Sequence, residues 1–443
     1  MVRIDEYLAN NAKANPHKVF AICNGETVTY GQFYNLVTSE AKQYTPQKPV
    51  VYRSAQTINS LVTFFAILKA NAIAVPLEAE MPDEAFNLLR NSLEKEHTPN
   101  DVAIVLYTTG TTGKSKGVMI SHRGIVSSAL NLIHGQLYDA DTTFIISGPL
   151  NHIGSLSKIW PIVINGGAIY ILTGLKSMED FFNALEYPAN KLATFMVPAG
   201  LRMLMQFGAQ RLSSYKDKID FIETGAAPMA KSDMQYLCEL LPKTRLYNTY
   251  ASTEPGVVAT YEYSRYGCIE GCLGCPLPNS KLFIEEDGSI SVSGTTIMSG
   301  YIGDEELTGS ILKNGIIHTS DNGYFDDDGQ LHLTGRNDDV INVGGYKVAP
   351  SEIENLVLAI DGITDCICIP AKHPILGCSI KLLYTCNQED LITSKDIATY
   401  LSARIERYKV PQSYVKVDSI QRTYNGKLNR KYYISDYCCP VKL

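Results

Sequence analysis

The chain has 443 residues, enough by length alone for about three domain-sized units, and 45% of them are hydrophobic while 19% are charged. This composition is that of an ordinary globular protein and excludes a disordered or fibrous chain. The net charge of -7 argues against a nucleic-acid partner, because such binding needs clustered Lys and Arg side chains that neutralise phosphates.

The sequence predicts no membrane span and a cytoplasmic location. No uninterrupted apolar run approaches the ~20 residues that cross a bilayer. The first residues lack a basic stretch followed by an apolar core, so no secretory signal is expected. Without such a signal, the eleven cysteines are expected to be reduced thiols. The cluster of Cys268, Cys272 and Cys275 lacks the fourth ligand that a zinc or iron–sulfur site requires.

Before residue 281, buried strands alternate with helices. A buried helix is predicted at 61–68, and a strand at 102–107 ends in a loop rich in Gly and Thr. This alternation favours βαβ units and a mainly parallel sheet covered on both faces. Further strands are expected at 143–147, 167–172, 193–197, 219–223 and 245–250, with helices at 198–207 and 229–241.

From residue 281 the pattern changes to antiparallel hairpins. Residues 281–294 are predicted to turn at an Asp-Gly pair, and residues 323–335 repeat this pattern with a second Asp-Gly turn. After Arg336 a short polar stretch leads into a compact α+β tail. In this tail we expect strands at 340–343, 363–369, 378–385 and 414–420 and helices at 350–360 and 394–408.

The predicted architecture is an α/β protein with two domains. The large N-terminal domain, residues 1–337, combines mainly parallel sheets flanked by helices with a smaller β-rich subdomain. A small α+β domain follows at 338–443, joined by one short hinge, and its size of about 105 residues is normal for a domain.

One loop carries the strongest chemical signal. Residues 107–118 read Tyr-Thr-Thr-Gly-Thr-Thr-Gly-Lys-Ser-Lys-Gly-Val, directly after a predicted strand. Glycines let the backbone approach a polyphosphate and turn its N–H groups towards it, while hydroxyl and ammonium groups add donors and charge. A P-loop NTPase is excluded, because Thr108 stands where G-x-x-x-x-G-K-[ST] requires its first glycine. The residues expected to contact phosphates are Thr108, Thr109, Gly110, Thr111, Thr112, Gly113, Lys114 and Lys116.

This loop resembles the phosphate loop YTSGTTGKPKGV of the adenylate-forming superfamily of acyl-CoA synthetases, nonribosomal-peptide adenylation domains and luciferases. It departs from that pattern only at Thr109 and Ser115. Further motifs of the superfamily follow in the same order along nearly the whole chain. The resemblance implies a mobile C-terminal domain that rotates about a hinge at Asp338.

Residues 247–254 extend the resemblance to the nucleotide site. They read Tyr-Asn-Thr-Tyr-Ala-Ser-Thr-Glu and are similar to the motif Y-G-x-T-E, with Ala251 in place of the glycine. The resemblance implies that Tyr250 stacks on adenine, that Thr253 contacts the α-phosphate and that Glu254 holds Mg²⁺. A carboxylate suits this role, since hard cations take oxygen ligands.

Two further segments would complete the nucleoside site. Gly225, Ala226 and Ala227 look like the turn that contacts adenine in the superfamily. Asp321, in a segment similar to T-G-D, would bind the ribose hydroxyls. Arg336 would be the second ribose contact, because its guanidinium offers a fork that suits paired oxygens.

The tail carries the expected catalytic group. Residues 421–430 resemble the segment P-x-T-x-x-G-K-x-x-R, with Gln421 at the proline position, and this makes Lys427 the catalytic lysine. A carboxylate and an α-phosphate repel each other as they react. The site therefore needs positioned positive charge rather than a strong general base.

The class and size of the substrate acid are predicted from residues 149–154 and from two positions with bulky side chains. Pro-Leu-Asn-His-Ile-Gly resembles P-L-F-H-x-x-G of acyl- and aryl-CoA ligases and places His152 at the acyl pocket or its thiol entrance, with a purely structural role as the alternative. The segment does not resemble the F-D-x-S stretch of amino-acid-activating domains. Tyr247 and Thr249 stand where ligases for bulky substrates often have glycine, which indicates a small acyl or aryl acid.

The resemblance as a whole implies an enzyme that uses ATP and Mg²⁺ to convert a small carboxylic acid into an acyl-AMP and passes the acyl group to coenzyme A. Gly344 and Gly345 would leave room for its pantetheine chain. The region before the phosphate loop is shorter than in most relatives, so either a subdomain is trimmed or part of the surface that grips the nucleotide end of coenzyme A is missing. The second reading would favour the alternative that the acceptor is pantetheine on a carrier protein. An alternative of another class is a catalytically silent nucleotide-binding relative, against which Lys427 argues.

Overall fold

The structure is a computed structural model that describes residues 2–93, 96, 98–109, 115–174, 178–343, 346–373, 377–387, 392–423, 427–430, 432 and 433. At positions 109, 338, 347 and 377 it describes the backbone only. No helix within these ranges combines the length and the apolar character needed to cross a bilayer.

Helices and strands alternate through residue 262. The helices are α1 (Ile4–Ala14), α2 (Tyr30–Glu40), α3 (Ile58–Lys69), α4 (Asp83–Leu93), α5 (His122–Gln136), α6 (Ile153–Asn165), α7 (Met178–Leu185), α8 (Pro198–Ser213) and α9 (Lys231–Leu240). The strands are β1 (Val19–Cys23), β2 (Glu26–Thr29), β3 (Pro49–Ser54), β4 (Ile73–Glu78), β5 (Val102–Thr109), β6 (Ser115–Ser121), β7 (Thr142–Ile146), β8 (Ala168–Ile171), β9 (Lys191–Met196), β10 (Ile219–Gly225), β11 (Arg245–Ser252) and β12 (Gly256–Glu262). The strands predicted between 143 and 250 are confirmed, each within two residues at either end.

Beyond residue 262 the elements are mostly short. The helices are α10 (Tyr263–Tyr266), α11 (Glu305–Ile311), α12 (Pro350–Leu358) and α13 (Ser394–Ser402). The strands are β13 (Cys272–Gly274), β14 (Ser280–Ile284), β15 (Ser289–Gly294), β16 (Gly300–Tyr301), β17 (Leu312–Lys313), β18 (Ile316–Phe325), β19 (Leu331–Arg336), β20 (Ile341–Val343), β21 (Tyr346–Val348), β22 (Ile363–His373), β23 (Gly377–Cys386) and β24 (Ser413–Lys416).

Three predicted elements of the tail are wrong in extent, and one of them, β22, continues four residues beyond the expected 363–369. The helix expected at 394–408 ends at Ser402, and a separate 3₁₀ turn at Arg407–Lys409 follows it. This break lets Ile405 and the residues after it pack on the C-terminal core, which one straight helix would not allow. The strand expected at 414–420 ends at Lys416, which pairs with Tyr384 on β23.

Two sheets form the N-terminal part. In the first, with the order β12-β11-β10-β9-β7-β8-β1-β2, the strands from β11 to β1 are parallel. In the second, with the order β16-β6-β5-β4-β3, the strands β3, β4 and β5 are parallel and the others antiparallel. The prediction of a mainly parallel architecture is confirmed.

A layer of helices separates the two sheets. Helices α1, α2, α3, α5 and α6 pack between them and bury one large apolar core. The opposite face of the first sheet is covered by α7, α8 and α9, and that of the second sheet by α4. Covering both faces explains why most residues of the inner parallel strands of the first sheet are buried.

A third, antiparallel sheet lies beside the first, with the order β13-β19-β18-β15-β14 and β17 paired to β18. It contains both predicted hairpins, β14–β15 and β18–β19, so these predictions are confirmed. Tyr250, near the carboxyl end of β11, contacts Asp321 on β18. The candidate site therefore lies where the carboxyl ends of the parallel strands meet the third sheet, the usual place for ligands in such sheets.

The C-terminal part has its own core. It contains the hairpin β20–β21 and a sheet of order β22-β23-β24, against which α12 and α13 pack. The predicted combination of a large α/β N-terminal part with a small α+β C-terminal part is confirmed.

Candidate active site

The predicted phosphate loop connects β5 to β6. Thr108 pairs with Lys116 across this hairpin, and Thr109 pairs with Ser115. The Nζ atom of Lys116 lies 5.7 Å from the centroid of the Tyr301 ring, at the edge of the cleft. Gly110, Thr111, Thr112, Gly113 and Lys114 lie outside the described residues.

Glu254 lies in the tight turn between β11 and β12. The hydroxyl of Tyr301 donates a hydrogen bond to its Oε1 at 3.0 Å, and Ser252 Oγ donates to its Oε2 at 3.4 Å. The turn needs glycine at 256, where φ is +75° and a Cβ would lie 2.8 Å from the carbonyl oxygen of Thr296. The carboxylate is therefore held in place by neutral donors.

Glu254 fits the role of a magnesium ligand. Mg²⁺ keeps several waters and is usually bound by one or two carboxylates together with substrate phosphates. Within the described ranges, no group of three or more His, Cys, Asp or Glu side chains could hold a metal ion. A single carboxylate with neutral neighbours thus suits an ion that is shared with a bound nucleotide.

Asp321 and Arg336 face each other across β18 and β19. Arg336 Nε lies 3.1 Å from Asp321 Oδ1, and the Tyr250 hydroxyl donates to Oδ2 at 2.8 Å. Burial and the charge of Asp321 raise the pKa of Tyr250, so the phenol stays protonated and remains a donor. The structure thus brings together the residues predicted to contact ribose and adenine.

The predicted adenine turn follows β10 directly. A Cβ at Gly225 would lie 2.9 Å from the carbonyl oxygen of Thr249 on the next strand, so close packing requires glycine. Ala226 has a φ of +67°, in the left-handed region that alanine rarely adopts. Such strain, about 1–3 kcal/mol, is concentrated at functional sites. Ala226 is exposed and Ala227 half-buried, which leaves this backbone accessible to a ligand.

The C-terminal part brings Lys427 into the same cleft. Burial lowers the pKa of its ammonium, and the nearby charge of Arg336 lowers it further. The carboxylates of Asp321, Glu254 and Asp339 oppose this shift. Lys427 keeps exposed surface, yet the surrounding protein displaces enough water to disfavour the charged form. Three of the charged groups that act on this ammonium, Arg336, Asp321 and Glu254, are predicted nucleotide or magnesium contacts.

His152 also lies at this cleft, directly before α6. Burial and the charge of Lys427 lower its pKa to about 4, so the imidazole is neutral at neutral pH. This proximity to Lys427 favours the prediction of a site residue over that of a purely structural histidine. Thr253 is half-buried beside Glu254, whereas Gly344 and Gly345 lie outside the described residues.

Sequence reasoning missed the side chains that hold the lysine loop. Arg422 donates to both oxygens of Asp365 at 2.7 Å. Arg430 donates to both oxygens of Glu354, at 2.6 and 2.8 Å. These paired hydrogen bonds fix the segments before and after Lys427 to the C-terminal core. The motif includes Arg430 but leaves position 422 open, and nothing local in the sequence identified the carboxylate partners of either arginine.

Comparison with known proteins identifies the family. The family model of the AMP-binding enzyme matches residues 85–302, and that of the AMP-binding enzyme C-terminal domain matches residues 352–427. The chain belongs to the AMP-binding enzyme family. The family prediction made from the motifs is thus confirmed.

Named relatives of this AMP-binding enzyme are CoA ligases. It is 29% identical to 4-coumarate–CoA ligase CCL1 of Humulus lupulus over 75% of this chain and 64% of the ligase. It is 26% identical to the 4-coumarate–CoA ligase of Pinus taeda over 85% of this chain and 74% of the ligase. The match thus spans slightly less than two thirds of the hop protein's length.

Solved structures share the fold of this AMP-binding enzyme. The crystal structure of ATP-bound MatB from Rhodopseudomonas palustris superposes with a TM-score of 0.86 at 20% sequence identity, covering 98% of this chain and 100% of that chain. This likeness confirms the predicted fold class.

Proposed function

We propose that this AMP-binding enzyme condenses a small carboxylic acid with ATP to an acyl-AMP, releases pyrophosphate, and transfers the acyl group to the thiol of coenzyme A. The observation that carries the proposal is the convergence of Lys427 with Asp321, Arg336 and Glu254 in one cleft. A protein that only bound nucleotide would not need a partly desolvated lysine there. The names of the relatives support coenzyme A as the acceptor.

In the first step a carboxylate oxygen attacks the α-phosphorus, and the bond to the pyrophosphate oxygen breaks. Both reactants are anionic, so their approach requires positive charge that is already in place. Lys427 supplies that charge by donating to carboxylate and phosphate oxygens. Asp321 and Arg336 hold the ribose, and the strained turn at Ala226 contacts the adenine.

Glu254 would hold Mg²⁺, which when bound neutralises phosphate charge and supports the departure of pyrophosphate. Tyr301 and Ser252 orient the carboxylate for this purpose through their hydrogen bonds. Thr253, the neighbour of Glu254, would donate its hydroxyl to the α-phosphate.

His152 borders the acyl group in this scheme. Its low pKa keeps it neutral, so it orients the bound acid without adding a second charge beside Lys427. In the second step the thiolate attacks the acyl carbon and AMP leaves with the anhydride oxygen. The C-terminal domain would rotate about Asp338 between the steps, and Gly344 and Gly345 would then line the path of the pantetheine chain.

The proposal is tested by measuring pyrophosphate release from ATP with short-chain, aryl and amino acids, each with and without coenzyme A. We expect release that depends on a non-amino acid and rises with coenzyme A, together with AMP and a thioester. Release that ignores coenzyme A would indicate a carrier protein as the acceptor. ATP binding without release for any acid would contradict the proposed reaction.

A further inference from the structure

A buried ion pair lies outside the chemistry described above. Lys158 on α6 places its Nζ 2.6 Å from Oε1 of Glu223 on β10, and their side chains are 3% and 0% exposed. Burying two charges costs desolvation energy that their attraction offsets only in part, so stability alone is a weak reason for such a pair. Its position indicates a different role.

The pair lies directly beneath the cleft. His152 precedes α6, and Lys158 follows six residues later, about 9 Å along the helix axis. Glu223 precedes Gly225, where the adenine turn begins, by two residues or about 7 Å along the strand. An acid held between His152 and Gly225 would therefore direct its hydrocarbon chain towards the pair.

The ring of Phe195 lies beside the pair and next to two glycines of the cleft. Phe195 lies on β9 opposite Glu223, and Lys158 Nζ lies 5.1 Å from the ring centroid. A methyl group at Gly154 or Gly225 would come within 3.4 Å of the ring. Both neighbours of Phe195 on β9 are buried, whereas Phe195 itself is half-buried. Because β9 is an inner strand, the accessible part of the ring faces the cleft.

The pair keeps hydrogen-bonding capacity that the described residues do not use. Within those residues, Oε2 of Glu223 and the hydroxyl of Tyr138 are buried without a hydrogen-bond partner. Burial and the charge of Glu223 raise the pKa of Tyr138, so the phenol stays protonated and remains a donor. Lys158 carries three donors, and its hydrogen bond to Glu223 uses one of them. A hydroxyl group, which both donates and accepts, would suit this environment.

We propose that Phe195 is the floor of the acyl pocket and restricts the enzyme to short-chain acids, and that the Lys158–Glu223 pair makes the space beneath the ring polar. This inference rests on the proposed function, because it assumes an acid bound between His152 and Gly225. A long apolar acid is excluded by the volume of the ring. It is excluded again by the cost of placing hydrocarbon against a carboxylate oxygen that still needs a hydrogen bond.

The first test compares acids of different length with the wild-type chain in acid-dependent pyrophosphate exchange. We expect kcat/KM for propionate and butyrate to exceed that for octanoate and cinnamate by about 100-fold or more. Octanoate used as well as butyrate would overturn the inference and leave the proposed function intact. If none of the acids supported exchange, the proposed function itself would be contradicted.

The second test removes the floor. In Phe195→Ala we expect kcat/KM for 6-hydroxyhexanoate to rise about tenfold over wild type and to exceed that for heptanoate, its methyl-ended counterpart, by about tenfold. Phe195→Leu keeps most of the volume and serves as the matched control, with a smaller gain expected. If kcat/KM for the longer acids did not rise in Phe195→Ala, the proposed role of the ring would be wrong. If the variant used both acids equally well, the proposal that the space beneath the ring is polar would be wrong.

The third test removes the charges in the Phe195→Ala background. Lys158→Met with Glu223→Met keeps the side-chain length, and we expect the preference to reverse in favour of heptanoate. Melting temperatures verify that each variant folds. If the triple variant does not fold, Glu223→Gln in the same background should reduce the preference for the hydroxy acid about threefold or more. An unchanged preference in the variant that folds would overturn the role of the pair.

Discussion

At the scale of single residues, the cleft combines cations that attract the reacting oxygens with carboxylates that neighbouring donors hold in place. Lys427 and Lys116 approach it from different parts of the chain. Asp321 is engaged by Arg336 and by a phenol, and Glu254 by two hydroxyls. The ammonium groups of Lys427 and Lys116 are therefore available to a bound ligand, as electrostatic preorganisation requires.

Replacing Lys427 by alanine should reduce adenylation with the fold intact. We expect kcat for acid-dependent pyrophosphate exchange to fall by about 10²–10³, because one preorganised charge is lost. An unchanged melting temperature would show that folding is unaffected. Near-normal exchange in Lys427→Ala would defeat the assignment.

The pH dependence of adenylation should also report Lys427. The active form is the protonated ammonium, which is lost as pH rises through its pKa. Since that pKa lies below the ordinary lysine value, we expect kcat/KM to decline on the alkaline side earlier than an unperturbed lysine would allow. In Lys427→Arg the guanidinium stays charged, so any remaining activity should lack this decline. The same alkaline decline in both proteins would assign it to another group.

At the scale of elements, the lysine loop depends on anchors in the C-terminal core. Arg422 is tied to Asp365 at the start of β22, and Arg430 is tied to Glu354 on α12. Residues 422 and 428 also pair as an isolated bridge. The position of Lys427 thus follows from a strand and a helix that are far from it in sequence.

Removing the Asp365 carboxylate should loosen this loop without removing the catalytic group. We expect Asp365→Ala to lower kcat for adenylation by about tenfold, a smaller loss than in Lys427→Ala, since misplacement weakens but does not delete the charge. Asp217→Ala breaks an exposed ion pair with Lys243 and serves as the control, with activity unchanged. Equal activities of the two variants would contradict the anchoring role.

At the scale of the whole molecule, the described arrangement suits the proposed adenylation step. Lys427 lies in the cleft of the N-terminal part, and Gln206 on α8 donates to Asn387 of the C-terminal part at 2.9 Å. Delivering a thiol to the same acyl group would require the lysine loop to leave. The proposed hinge at Asp338 lies in the 3₁₀ turn that connects the two parts.

Asp338→Pro should slow thioester formation more than it slows adenylation. Proline restricts φ at 338 and the conformation of the preceding residue, so rotation about the hinge is impeded. We expect thioester formation to fall about tenfold or more while pyrophosphate exchange stays within about threefold of wild type. Asp338→Ala leaves the backbone free and serves as the control. Equal losses in both steps would count against the hinge.

The sequence by itself determined the alternation of strands and helices, the two Asp-Gly hairpins and the motif residues of the cleft. Apolar periodicity and turn chemistry act over a few neighbouring residues, so they can be read locally. The premature end of α13 at Ser402 was not predicted, because packing of the following residues overrides helical periodicity.

Only the tertiary structure decided which distant side chains meet. Tyr301 contacts Glu254 across 47 residues, and Lys158 meets Glu223 across 65 residues. Neither partner is marked by a local pattern, because the contacts arise only when strands and helices pack into layers. Phe195 reads in the sequence as one more apolar strand residue, and its place between glycines and an ion pair makes it the proposed floor of the acyl pocket.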